Sequence, residues 1–116
     1  MDKRDQIYLK KAMNEDERIL TYSENMTIED FDNNPAILDG IIFRMIQLSE
    51  HLGNVSDYIK TKYDNISWIN IKGFRNRLVH NYGSVDLGFV YNAIAIDIPK
   101  LRDDLEILLN CEERIV

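Results

Sequence analysis

Apolar positions recur along this chain at helical spacing. Between about residues 3 and 22, Tyr8, Ala12 and Ile19 share one stripe and Leu9, Met13 and Leu20 its neighbour, which predicts an amphipathic helix. Thr27-Ile28-Glu29-Asp30 offers a hydroxyl able to cap amides three residues on, followed by acids suited to the positive end of a helix dipole. A brief helical turn within residues 23–34 is expected. Asn34-Pro35 is a sharper start, because Asn can cap and Pro at the first position gives up an amide hydrogen that has no partner there. A long helix to about Lys62 should follow, burying Ile37, Ile41, Ile42, Met45, Leu48, Leu52, Val55 and Ile59, with Gly40 and Gly53 as weak points. Asp64-Asn65 reads as a turn, Ser67 as the cap of a short helix through Trp68, Ile69 and Ile71, and Gly73 as the break before another stretch with Phe74, Leu78 and Val79. The last helix starts near Asp86 and carries Leu87, Val90, Ile94, Leu101, Leu105 and Leu108. Pro99 crowds the carbonyl of Ala95, so a kink without a break is predicted. Helices of this length with short connections imply an all-α fold, an antiparallel up-and-down bundle of four or five helices.

Composition narrows the classes. A chain of 116 residues is expected to form a single domain, residues 1–116, and five Gly and two Pro leave little material for a turn-rich sandwich. Cys111 is the only cysteine, so no intrachain disulfide is available. No apolar run approaches the roughly 20 residues that span a bilayer. The opening MDKRDQIYLKK lacks the continuous apolar segment and small-residue cleavage site of a secretory signal, so a cytoplasmic location is expected and the sequons at Asn25, Asn54 and Asn65 read as chance.

Charge changes the picture more. The net charge of -6 argues against a nucleic-acid partner until its distribution is resolved. Residues 1–57 hold six basic and twelve acidic side chains, residues 58–82 five basic and one acidic, and residues 83–116 three and seven. Lys60, Lys62, Lys72, Arg75 and Arg77 thus form a cationic island in an acidic chain. They are candidates for contacts to a nucleic-acid backbone, against the ordinary alternative of a solvated helix face.

There is no Gly-rich phosphate loop, CxxC pair or HExxH. His51, His80 and Cys111 are scattered over three segments, so no metal site and no cofactor are expected, and Glu112 and Glu113 beside Cys111 disfavour a thiolate. What remains is Gly73-Phe74-Arg75-Asn76-Arg77-Leu78-Val79-His80-Asn81-Tyr82, which concentrates catalytic residue types inside the island. On a helix Asn76 and His80 are four apart on one side, so the amide can orient the imidazole. Arg75 and His80 lie about 140° apart, so Arg75 must reach round or a second copy must help. The plain alternative is a surface helix whose arginines pair with acids and whose His and Tyr cap its end.

Arg-x4-His-x-Tyr, with Asn directly after the Arg, resembles the signature of HepT-type toxins of the HEPN superfamily. The resemblance extends to MDKRDQIYLKK, to IQLSEHLG around Glu50, to ISWINIKGFRNRLVHNY and to VDLGFVYNAIAIDIPKLRDDLE, and so covers most of the chain. Ser49 stands where the family usually has Gly, and Gly83 follows Tyr82 directly. The resemblance implies an all-helical HEPN-like domain whose dimer brings two motifs into one cleft, and a metal-independent endoribonuclease acting on tRNA or mRNA in a toxin–antitoxin pair. It also implies an MNT-type nucleotidyltransferase antitoxin that transfers AMP onto Tyr82. In such a site His80 would serve as general acid or base, Arg75 would bind the phosphate and Asn76 would orient either, giving a 2′,3′-cyclic phosphate and sparing DNA. Glu50 falls outside this set, as a structural partner for Arg75 or Arg77. Trp68 and Tyr63 offer faces for bases, with packing the ordinary role of Trp68. The competing class is a non-catalytic HEPN interaction module or an accessory subunit of a nucleotidyltransferase.

Overall fold

A computed structural model describes residues 1–80 and 86–113, apart from the side chains of residues 79 and 80. Asp2 opens the first helix, α1 (Lys3–Tyr22), its carboxylate accepting from the Asp5 amide at 3.0 Å. Thr27 and Asp30 form a reciprocal capping box (3.2 and 2.8 Å) that starts α2 (Ile28–Asn33), as the local sequence predicts. Pro35 occupies the first turn of α3 (Pro35–Gly53). The Asn34 side chain, however, makes no cap: its amide turns back to donate to the Asp30 carbonyl at 2.7 Å and closes α2.

The long helix expected to reach Lys62 ends at Gly53, and a separate α4 (Asp57–Lys62) follows. The cause lies far away in sequence. Asp5 of α1 is buried, and its carboxylate accepts from the Ser56 amide (2.8 Å) and the Ser56 hydroxyl (2.6 Å). The same hydroxyl accepts from the Ile59 amide and caps α4 (3.5 Å). Once Asp5 holds the Ser56 amide, that amide cannot continue the α3 ladder, and Gly53 lowers the cost of stopping.

The break predicted at Gly73 is absent, and α5 runs unbroken from Trp68 to His80. Gly in a helix interior costs about 1 kcal/mol, which packing of the apolar face against α3 outweighs. Asp86 caps α6 (Leu87–Asn92), its carboxylate accepting from the Phe89 amide at 3.0 Å. The irregularity expected around Pro99 takes the form of a π-helical turn, Ala93–Asp97, leading straight into α7 (Ile98–Glu113). The Ile98 amide reaches five residues back to the Ala93 carbonyl. Widening the helix by one residue ahead of the proline absorbs its missing N–H and its ring without a break.

The helices α1, α3, α5 and α7 carry the bundle: α1 packs on α3 and α7, and α3 packs on α5. Leu9, Ile19, Ile41, Met45, Leu48, Leu52, Leu105 and Leu108 fill the centre. Ile37, placed by periodicity in the buried stripe, is 42% exposed, and Leu38 takes its place. The fold is all-α, as expected, with no strand among the described residues.

Candidate functional site

The α5 helix sets the site. Leu78 is buried and Phe74 packs against Phe89 of α6 with ring centroids 5.2 Å apart, which fixes the rotation of α5 and turns Arg75 outward. Nε and Nη2 of Arg75 donate to one oxygen, Oε1 of Glu50 on α3, at 3.2 and 2.9 Å. Nη1 donates to Oδ1 of Asn76 at 3.3 Å. A guanidinium has five N–H donors. These three bonds leave one hydrogen on each terminal nitrogen, the edge a phosphate would approach.

Asn76 therefore engages Arg75 through its oxygen, keeping its NH2 group for another acceptor. His80 is the final residue of α5, one turn beyond Asn76; its side chain and Tyr82 lie outside the described residues. Glu50, expected as a structural partner for Arg75 or Arg77 and not as a catalytic group, grips the motif arginine. The only signal for it in the sequence is its place in the IQLSEHLG stretch.

The rest of the cationic island divides. Arg77 is bound to Asp86 at 3.2 Å with its guanidinium 3.8 Å from the Phe89 ring centroid, which ties α5 to the start of α6. Lys62 contacts the buried carboxylate of Glu112 at 3.3 Å, and this hydrogen bond raises the lysine's pKa above its ordinary value. Lys60 lies 6.0 Å over the Trp68 ring and donates to the Gly53 carbonyl at 3.4 Å. Lys72 is exposed. The structure thus gathers Arg75, Asn76 and Glu50, sets Lys60 over the Trp68 ring, leaves Lys72 exposed one turn along α5 from Trp68, and binds Lys62 and Arg77 to carboxylates.

Beside the site an open groove of about 710 Å³ runs between α5 and the α6–α7 helix, with Ile66, Phe74, Phe89, Ile98 and Leu101 among its lining residues. Ile69 at its edge is 88% exposed. Elsewhere, burial lowers the pKa of His51, which stands beside Tyr8. Among the described residues no helix is long and apolar enough to cross a membrane, and no three His, Cys, Asp or Glu side chains converge as metal ligands.

Comparison with known proteins gives these features a setting. The family model described as Ribonuclease HepT-like matches residues 14–108. A protein of Methanocaldococcus jannaschii named as a gamma-glutamylcyclotransferase and proposed RNase is 30% identical over 85% of this chain, which spans only 45% of that relative's length. A second protein of that organism, named as a proposed RNase, is 28% identical over 98% of this chain and all of its own. One from Caldanaerobacter subterraneus subsp. tengcongensis, also named as a proposed RNase, is 24% identical over 91% of this chain and 95% of its own. No solved structure matches. With its helical bundle and an Arg-Asn pair on the motif helix, the chain belongs to the HepT-like ribonuclease family of HEPN proteins.

Proposed function

We propose that this chain is a metal-independent endoribonuclease toxin acting through Arg75, Asn76 and His80. The observation that carries the proposal is the Arg75 guanidinium, held by Glu50 along its Nε–Nη2 edge and by Asn76 at Nη1, which leaves one N–H on each terminal nitrogen for a phosphate. Imidazole has an ordinary pKa near 6.5 and can give or take a proton near neutrality. His80 takes the proton of the ribose 2′-hydroxyl, whose oxygen bonds to phosphorus; the bond to the 5′-oxygen breaks and that oxygen leaves with a proton. The products are a 2′,3′-cyclic phosphate and a 5′-hydroxyl. Arg75 offsets the charge that builds on the phosphoryl oxygens. DNA, lacking the 2′-hydroxyl, survives.

Two imidazoles, one as base and one as acid, are supplied when a second copy packs alongside, and the apolar groove with Ile69 at its edge gives a surface for it. The substrate is tRNA or mRNA in the cytoplasm. The partner is an MNT-type nucleotidyltransferase antitoxin that places AMP on Tyr82, adding bulk and negative charge beside the RNA site. Incubating the purified protein with RNA in chelator tests the core of this reading: cyclic-phosphate ends are expected from the parent and not from His80→Ala or Arg75→Ala. Equal cutting by His80→Ala would overturn it.

A second reading draws on the same ion pairs. Arg75 and Arg77 both meet carboxylates, as in a purely structural helix, which suits a non-catalytic HEPN interaction module. Growth arrest on expression without the antitoxin, relieved by His80→Ala, separates the two.

A further inference from the structure

On α5, Trp68, Lys72 and Arg75 fall at i, i+4 and i+7, one stripe about 10 Å long at 1.5 Å per residue. The Arg75 end of this stripe meets the last turn of α3, and Lys60 of α4 links the Trp68 end to the same turn. Arg75 is held by Glu50, and Lys60, the cation over Trp68, donates to the carbonyl of Gly53, three residues on. Trp68 is itself fixed, since its indole Nε1 donates to the Tyr63 carbonyl at 3.0 Å. It packs against the core, as expected, but only in part, and the Lys60 ammonium lies 6.0 Å over its ring.

Resting on the function proposed above, we propose that Trp68, Lys72 and Lys60 form a subsite for an unpaired nucleotide of single-stranded RNA adjoining the phosphate held by Arg75. The base lies on the indole and the lysines meet the flanking phosphates. The charge distribution directs a polyanion to this stripe: much of the remaining surface is acidic, and Lys62 and Arg77 are bound to Glu112 and Asp86. A base can displace Lys60 from the ring because a cation 6.0 Å from a partly exposed aromatic ring is a weak contact. Every base has a π-face, so stacking on Trp68 selects unpaired over paired RNA without selecting sequence. A duplex keeps its bases stacked on each other and cannot offer one.

Trp68 is the only tryptophan in the chain, so its fluorescence reports the subsite directly. The probe is a 2′-O-methyl oligoribonucleotide, which lacks the attacking hydroxyl and stays intact on the parent protein. Single-stranded probe should quench Trp68, and the same sequence as a duplex should not. Lys72→Ala, an exposed change, should weaken binding and lower the salt dependence by about 0.7 in the log–log slope. Trp68→Leu should weaken binding at least about fivefold, and Trp68→Phe, which keeps a stacking ring, by less. No quenching, quenching by duplex as strong as by single strand, or an unchanged slope in Lys72→Ala would overturn the subsite. Cleavage of unmodified RNA is read separately: cutting without quenching sinks the subsite alone, and quenching without cutting sinks the proposed activity alone.

Discussion

The Arg75 guanidinium donates twice to a single oxygen of Glu50, across two helices and 25 residues of sequence. Both side chains are nearly half exposed, at 40% and 46%, so the pair contributes little stability. Its consequence is orientation: with the side edge of the guanidinium occupied, only the end edge remains for a substrate oxygen.

Glu50→Ala should therefore leave the melting temperature nearly unchanged while lowering ribonuclease turnover about tenfold, a barrier change of about 1.4 kcal/mol. Arg75→Ala should cost about 10²-fold or more, and Arg75→Lys should recover little, since an ammonium cannot present two parallel donors. Single-turnover cleavage alongside thermal melts checks this. Faster cutting by Glu50→Ala would instead mark the carboxylate as a competitor of the phosphate.

Asp16 predicts a pH dependence of stability. It is fully buried on α1, and neither carboxylate oxygen has a hydrogen-bond partner among the described residues. Burial pushes its pKa from 3.8 to about 8; Arg102, the cation that opposes this, hydrogen-bonds to Glu106. The folded state holds the proton more tightly than the unfolded state, so stability is greatest below the unfolded value of about 4 and falls as pH rises from there to about 8. Asp16→Asn should flatten this fall and raise the melting temperature at pH 8 by about 5 °C or more, with little change at pH 4. Parallel melts of the two proteins across that range decide it.

Asp5 should matter more than its place near the chain start suggests. Its two bonds to Ser56 fix the bend between α3 and α4, and Asp5→Ala leaves a half-buried amide without its acceptor. A loss of about 2 kcal/mol is expected, or roughly 8–10 °C in Tm for a domain this size. Denaturant midpoints measure it directly.

Lys62 separates a structural cation from a substrate-binding one. Lys62→Met strands the Glu112 carboxylate in the core and should lower stability clearly more than Lys72→Ala does. Adding Glu112→Leu to Lys62→Met should restore stability, because the unpaired buried charge is then gone. If Lys62→Met instead weakened RNA binding with no effect on folding, its role would lie on the surface.

Local chemistry wrote much of this fold into the chain. The Thr27–Asp30 box, Pro35 in a first turn and Asp86 ahead of α6 act within four residues, so these three helix starts could be read from neighbours alone. The Arg-x4-His-x-Tyr spacing and the cationic stretch around it are visible in the residue order itself. What could not be read were relations between helices. Asp5 reaches 51 residues along the chain to Ser56 and ends α3 early. Packing against α3 carries α5 through Gly73. Of the two arginines open to Glu50 it is Arg75 that meets it, while Glu112 and Asp86 claim Lys62 and Arg77. Caps and periodicity act between near neighbours, so an all-helical chain with one basic motif is written in residue order; which cation lies beside which carboxylate emerges only on folding, because segments far apart in the chain supply the acids.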